Sequence, residues 1–470
     1  MEIEQIYTGC LAEAAYYIES NGEAAIVDPL REVEPYIEMA EKRGAKIKYV
    51  LETHFHADFV SGHLDLAKKT GAKIVYGPTA VANFDAYIAE DGEELSLGNI
   101  KIKVLHTPGH TMESSTFLVL DENNKPHSIY SGDTLFIGDV GRPDLAVKTH
   151  LTQEDLAGHL FESLRNKIMP LPNDVIVYPG HGQGSACGKN MSKETFDTLG
   201  NQKATNYALR ADMTKEEFIK EVTTGLVAPP QYFPKNAVMN KMGYTSFDDV
   251  MSQGLNFLSI VDFKAEMQKE GTIIIDTRHY SKFTAGFIPQ SIFIGIDDNF
   301  APWMGVLIED LDAPILMIAD EGREEEVITR MARVGYDNPV GFLKGGIEAW
   351  VADGSALDNI NNYEPREFIE TYKTQGLEVL DVRKQSEFES QHLEGAENFP
   401  LDFIYKSLGQ LNKDKAYTVH CAGGYRSVAA ASIMKKYGVK DVSNVLGGFN
   451  AMKVLDNAPV SAFHEQTTML

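Results

Sequence analysis

Short apolar runs bounded by turn residues dominate the first half of the chain. Ala24-Ala25-Ile26-Val27 closes on Asp28-Pro29 and predicts a buried strand ending in a turn. Val33 to Arg43 predicts a helix. Ile47 to Leu51, Lys73 to Gly77, Ile100 to Leu105, Thr116 to Leu120 and Val175 to Tyr178 predict further strands. Strand-rich layers with flanking helices fit an αββα sandwich that continues to about Lys235. Ala228-Pro229-Pro230-Gln231-Tyr232-Phe233-Pro234 then predicts a linker, because its prolines oppose helix.

An internal repeat follows. Ile274-Ile275-Asp276-Thr277-Arg278 with Phe283 matches Val379-Leu380-Asp381-Val382-Arg383 with Phe388. Later, Leu343-Lys344-Gly345-Gly346-Ile347-Glu348-Ala349-Trp350 matches Val445-Leu446-Gly447-Gly448-Phe449-Asn450-Ala451-Met452. Chance similarity of two α/β segments does not readily give two matched motifs in one order. Each copy alternates strands and helices, as in an open parallel sheet. The expected domains are 1–245, 257–355 and 360–465.

Composition narrows the function. At 470 residues the chain exceeds one compact core. Its net charge of -25 argues against a nucleic-acid partner. Three scattered cysteines exclude a disulfide framework and suit a reducing compartment. The start shows no signal peptide, and no apolar run is long enough to span a membrane. The expectation is a cytoplasmic protein with no membrane partner.

Ligand-type residues cluster after the strands. His54-Phe55-His56-Ala57-Asp58-Phe59 follows the run ending at Leu51. Thr107-Pro108-Gly109-His110, Ser131-Gly132-Asp133-Thr134 and Pro179-Gly180-His181-Gly182 each place a histidine or aspartate at a glycine-marked turn. Solvated loop residues are the bland alternative, but converging His/Asp loops make metal sites. His63 reads as a surface or helix residue. Arg142, in Gly138-Asp139-Val140-Gly141-Arg142, suits either an anionic substrate or a structural ion pair. Cys187, in a polar Gly-rich loop with Lys189, suits either contact with a thiol-derived substrate or plain packing. Cys10 reads as packing.

The order and spacing of His54, His56, Asp58, His110, Asp133 and His181 resemble the metallo-β-lactamase superfamily, in its glyoxalase II-like branch. In the two-metal hydrolases of that family, the equivalents of His54, His56 and His110 hold one metal. Those of Asp58, a following histidine and His181 hold the other, with Asp133 bridging. Phe59 stands where that following histidine would be. The resemblance to persulfide dioxygenases of the family implies one Fe(II) per chain on His54, His110 and Asp133, a facial triad with open positions. It makes His56, Asp58 and His181 groups that orient ligands or water. From the residues alone, His56 could equally bind metal itself.

The last domain opens a second chemistry. Cys421-Ala422-Gly423-Gly424-Tyr425-Arg426 lies between a strand, Ala416 to Val419, and a helix, Ser427 to Tyr437. A thiol at a helix N-terminus meets converging N–H groups that favour the thiolate, and Arg426 adds positive charge. The segment resembles the active loop of rhodanese sulfurtransferases, as do Asp381-Val382-Arg383, Glu387-Phe388 and His392-Leu393-Glu394-Gly395-Ala396. In the first copy Asp320 stands opposite Cys421, within Asp320-Glu321-Gly322-Arg323-Glu324-Glu325-Glu326. That copy reads as inactive.

Together these segments resemble the persulfide dioxygenase–rhodanese fusions of the CstB type, an α/β multidomain class with an αββα sandwich followed by two rhodanese-like α/β domains. The resemblance implies sulfide detoxification. A low-molecular-weight thiol persulfide is oxidised with O₂ to sulfite. Cys421, with Arg426 and Cys187 as further candidate catalytic residues, carries sulfur that sulfite takes up as thiosulfate. It also implies a homo-oligomer. The alternative is a glyoxalase II-like zinc thioester hydrolase with a rhodanese appendage.

Overall fold

A computed structural model describes residues 1–146, 151–297 and 299–464. The chain divides into two units. One comprises Met1–Phe247 with Ala332–Gly335, and the other Asp248–Met331 with Tyr336–Leu470.

The first unit is a sandwich of two six-stranded sheets. Glu2–Thr8, Glu13–Ser20, Glu23–Val27, Lys46–Leu51, Lys73–Tyr76 and Tyr87–Ile88 lie side by side in chain order. Asp197–Thr198, Ile176–Pro179, Pro126–Gly132, Ser115–Leu120, Ile100–His106 and Glu94–Leu97 form the other. Strand alternation explains the layers. In Glu13–Ser20, Ala14, Tyr16 and Ile18 face the inter-sheet core with Val104, Phe117 and Val119. Ala15 and Tyr17 face the outer layer, with Tyr36 and Ala40 of the helix Glu34–Arg43. A strand covered on both faces has no polar side, which is why these runs read as continuously apolar. The second sheet does the same: Leu118 and Leu120 point outward to Leu160 of Gln153–Ser163 and Phe218 of Lys215–Thr223.

The expected linker is only partly one. Pro234 sits in the first turn of a helix, Phe233–Met242, where its missing N–H costs nothing.

The second unit holds two five-stranded sheets, parallel in every pairing. One runs Phe257–Leu258, Pro339–Leu343, Ile315–Ile318, Ile273–Asp276, Ile292–Phe293. The other runs Asn361–Tyr363, Asp441–Val445, Ala416–His420, Val379–Asp381, Glu397–Asn398, the same order. The repeat extends to side chains. Arg278 Nε and Nη2 grip the buried Asp276 at 2.9 and 2.6 Å. Arg383 grips Asp381 at the same two distances. A buried carboxylate needs such a partner.

Candidate active site

Four loops at strand ends bring the ligand-type residues together. His54 follows Lys46–Leu51, His110 follows Ile100–His106, Asp133 follows Pro126–Gly132, and His181 follows Ile176–Pro179. All are buried. His54, His110 and Asp133 offer three ligand atoms within 4.8 Å of one another. Asp133 Oδ2 lies 3.4 Å from His110 Nε2 and 3.9 Å from His54 Nε2, and among the described residues it has no hydrogen-bond partner.

The neighbours fix which nitrogen is free. His110 Nδ1 lies 2.9 Å from the Arg142 carbonyl oxygen. A carbonyl can only accept, so in the neutral ring Nδ1 carries the proton and Nε2 presents a lone pair. Thr53 Oγ1 donates its one proton to Asp28 Oδ2 at 2.8 Å, so it must accept from His54 Nδ1 at 3.0 Å. His54 Nε2 therefore also presents a lone pair. Burial, then the neighbouring His56, holds His54 well below the usual imidazole range and hence neutral. Two imidazole nitrogens and a carboxylate oxygen thus lie within 4.8 Å of one another, a donor set that fits a divalent cation.

His181 does different work. Its Nδ1 meets Asp133 Oδ1 at 2.7 Å and its Nε2 meets Asp58 Oδ2 at 2.7 Å. Burial opposes its charge, but the two carboxylates win and hold its pKa well above the ordinary value. For Asp133 burial pushes the other way, and His181, His110 and His54 hold it well below the carboxylate range. His181 clamps one oxygen of Asp133 and leaves the other for the cluster.

His56 turns toward another group. Its Nε2 lies 3.1 Å from Asp28 Oδ1 and 3.9 Å from Glu52 Oε2. Phe59 is wholly buried, and its ring tilts against His56 with centroids 4.3 Å apart.

Three residues that the sequence did not single out hold this centre. Asp28 and Thr53 orient His54. Asn240, on the helix Phe233–Met242, donates to the carbonyls of His56 and Phe59 at 2.8 Å each and accepts the Ser61 N–H at 2.9 Å. Thr53 and Asp28 carry a local sequence signal, a hydroxyl before the first histidine and an aspartate closing the adjacent strand. Asn240 carries none.

Three readings that the sequence left open take one form in the structure. His63 begins the helix His63–Thr70 but is fully buried against Phe84 and Tyr244, so it is no surface residue. Arg142 is not available to an anionic substrate. Its guanidinium is taken up by Asp144 at 2.7 Å and by the carbonyls of Ala186 and Val227. Its contribution to the centre is the carbonyl that holds His110. The Gly-rich loop is closed: Cys187 is buried, and Lys189 Nζ caps the carbonyls of Glu221 and Thr224. Burial, reinforced by Asp58 and Asp133, pushes the Cys187 thiol well up, so it faces the Asp58–His181 pair as a neutral group. Cys10 is half-exposed, with Arg333 Nη1 3.4 Å from its sulfur.

In the second unit, Cys421 follows the strand Ala416–His420 and precedes the helix Tyr425–Tyr437. Gly424 N–H donates to Cys421 Sγ at 3.1 Å. The N–H groups of Phe449 and Asn450 bond the carbonyls of Cys421 and Ala422 at 2.6 and 3.0 Å. Arg426 does not stand free: it pairs with Glu387 at 2.6 and 2.9 Å. In the first copy, Asp320 takes up Lys282 at 2.8 Å, and Arg323 binds Glu326 at 2.8 Å as well as Asp297. That loop contains no cysteine.

Comparison with known proteins agrees with this architecture. Residues 8–181 match the family model of the metallo-beta-lactamase superfamily, and residues 259–353 and 364–454 match that of the rhodanese-like domain. A metallo-beta-lactamase of Staphylococcus aureus subsp. aureus COL, known as a crystal structure, is 31% identical with a TM-score of 0.64, over 73% of this chain and 98% of that one. A probable hydroxyacylglutathione hydrolase of Schizosaccharomyces pombe is 33% identical over 37% of this chain. The matched stretch spans 66% of that hydrolase, just under two thirds of its length. The mitochondrial persulfide dioxygenase ETHE1 of Homo sapiens is 30% identical over 42% of this chain and 70% of its own.

Proposed function

From the premise that the chain belongs to the metallo-beta-lactamase superfamily and carries two rhodanese-like domains, we propose that it is an Fe(II) persulfide dioxygenase coupled to a sulfurtransferase. The observation that carries this reading is Phe59. The position that would complete a second metal site is a buried phenyl ring against His56. Two-metal hydrolysis needs two clamped ions. A two-histidine, one-carboxylate set such as His54, His110 and Asp133 suits O₂ chemistry.

His54, His110 and Asp133 would hold the iron. Bound there, Fe(II) supplies redox chemistry and open positions for O₂ and a thiol persulfide. The chain's own groups do the rest. Thr53 and the Arg142 carbonyl keep both imidazoles in the ligating tautomer. His181 fixes Asp133, and the rings of Phe59 and Phe136 pack against His56 and His181. The overall change is persulfide plus O₂ plus water to thiol plus sulfite and protons, so only the outer sulfur is oxidised. At Cys421 a persulfide sulfur passes to the lone pair of sulfite. The S–S bond breaks, the Cys421 thiolate leaves, and thiosulfate forms. The Gly424 N–H is placed to stabilise that thiolate.

The hydrolase relative supports a second reading, a zinc thioester hydrolase with attached rhodanese domains. Metal content and substrate-dependent O₂ uptake separate the two. Iron with O₂ consumed only when a thiol persulfide is present supports the first. Zinc with thioester cleavage in the absence of O₂ supports the second.

A further inference from the structure

The copy without a thiol touches the loop that has one. Tyr425 belongs to the six-residue Cys421–Arg426 loop, yet its ring lies on the first copy. It packs against Phe293 with centroids 5.2 Å apart at 58°, and its hydroxyl donates to the Gly295 carbonyl at 3.2 Å. Gly295 leaves room for this. A Cβ there would stand 3.1 Å from Tyr425 Cε2 and 2.9 Å from Phe293 Cζ. Two turns further along the helix, Ser432 Oγ accepts the Phe293 N–H at 3.0 Å. The strand Ile292–Phe293 of one copy and the helix Tyr425–Tyr437 of the other thus meet along a shared seam.

The loop needs an anchor on that side. Its first two carbonyls are fixed from within its own domain, by the N–H groups of Phe449 and Asn450. Beyond them come Gly423 and Gly424, the two residues with the widest backbone freedom. Gly424 sits at φ 110°, and in that conformation its N–H reaches Cys421 Sγ. Arg426 is held by Glu387 on its side chain. Ser427 Oγ donates to the Gly424 carbonyl at 3.0 Å from within the same domain, and the Tyr425 ring adds a fixed point from the first copy.

We propose that the silent rhodanese copy is a positioning element for the sulfur-carrying loop: Phe293 and Gly295 seat the Tyr425 ring, and the seated ring holds the Gly424 N–H on Cys421 Sγ. This rests on the reading of Cys421 as a sulfur carrier. It gives the silent copy a task that survives the loss of its own thiol.

The test uses the full chain with Tyr425→Ala, Gly295→Leu and Tyr425→Phe. Two readouts are followed: alkylation of the Cys421 peptide by iodoacetamide against pH, and sulfur transfer from thiosulfate to cyanide. Losing one hydrogen bond to a charged sulfur should lower kcat roughly ten- to a hundredfold in Tyr425→Ala and Gly295→Leu, with KM for thiosulfate little changed. In both, the alkylation profile should move to higher pH, while persulfide-dependent O₂ uptake stays at the wild-type rate. Tyr425→Phe keeps the ring and should stay close to wild type. An unmoved alkylation profile in Tyr425→Ala overturns the proposal, and that variant decides even if Gly295→Leu does not fold. If the wild type transfers no sulfur, the role of Cys421 fails instead, and the alkylation profile still judges the anchor.

Discussion

Thr53 has one hydroxyl proton, and Asp28 takes it. That allocation decides the tautomer of His54, so a residue that binds no metal controls one that does. Thr53→Val keeps the shape and removes the acceptor. Metal affinity, read by chelator competition, should fall about 10- to 100-fold. Phe59→His works in the opposite direction. The metal-to-protein ratio should rise above that of the wild type, with no gain in persulfide oxidation. Faster O₂ uptake in that variant would contradict the role assigned to Phe59. His63 carries a pH effect. Burial, then His56, lowers its pKa in the folded state to about 3 from 6.5. Below 6.5 the unfolded chain gains a proton that the folded one does not. Stability is therefore lost progressively as pH falls from 6.5 toward 3, a penalty on the order of a few kcal/mol at the acid end. His63→Phe should flatten that slope in urea melts at a series of pH values. His54, His110 and Asp133 were readable because each sits at a marked turn after an apolar run. The burial of His63 was not, since Phe84 and Tyr244 cage it from far along the chain.

Elements explain why some positions that look equivalent in the repeat are not. Both Gly-Gly turns adopt positive φ. A Cβ on Gly448 would lie 2.3 Å from the Cys421 carbonyl oxygen, whereas one on Gly346 would meet nothing nearer than Glu348 Oε2 at 3.4 Å. Gly448→Ala should abolish sulfur transfer or unfold the last domain. Gly346→Ala should cost only the backbone strain of a left-handed residue, about 1–2 kcal/mol. Thermal unfolding together with the transfer assay checks both. The strands of the sandwich were legible because covered strands are continuously apolar. The helix Phe233–Met242 was obscured by prolines that mark a linker and also start helices. Its Asn240 reaches the metal loop across 184 residues of sequence, a span that no local pattern reports.

At the scale of the whole molecule, the two proposed chemistries would share one intermediate. The first unit is proposed to make sulfite, and the loop at Cys421 is proposed to consume it. Carrying both on one chain raises the local concentration of a reactive product without any new contact. Strong acidity does not oppose this, because at Cys421 the Gly424 N–H would meet the transferred sulfur locally rather than through a basic surface. The architecture was legible as far as the family and the silent copy. The work of that copy was not, because it lies in a seam between Phe293, Gly295 and Tyr425 that only the fold assembles. The most direct test is one experiment on wild type and Cys421→Ser: metal content, O₂ uptake with a thiol persulfide, and sulfur products measured together. A dioxygenase coupled to a sulfurtransferase predicts iron in both, persulfide-dependent O₂ uptake in both, and sulfite replacing thiosulfate in the variant. Zinc with no O₂ uptake, or thiosulfate output unchanged in Cys421→Ser, would contradict it.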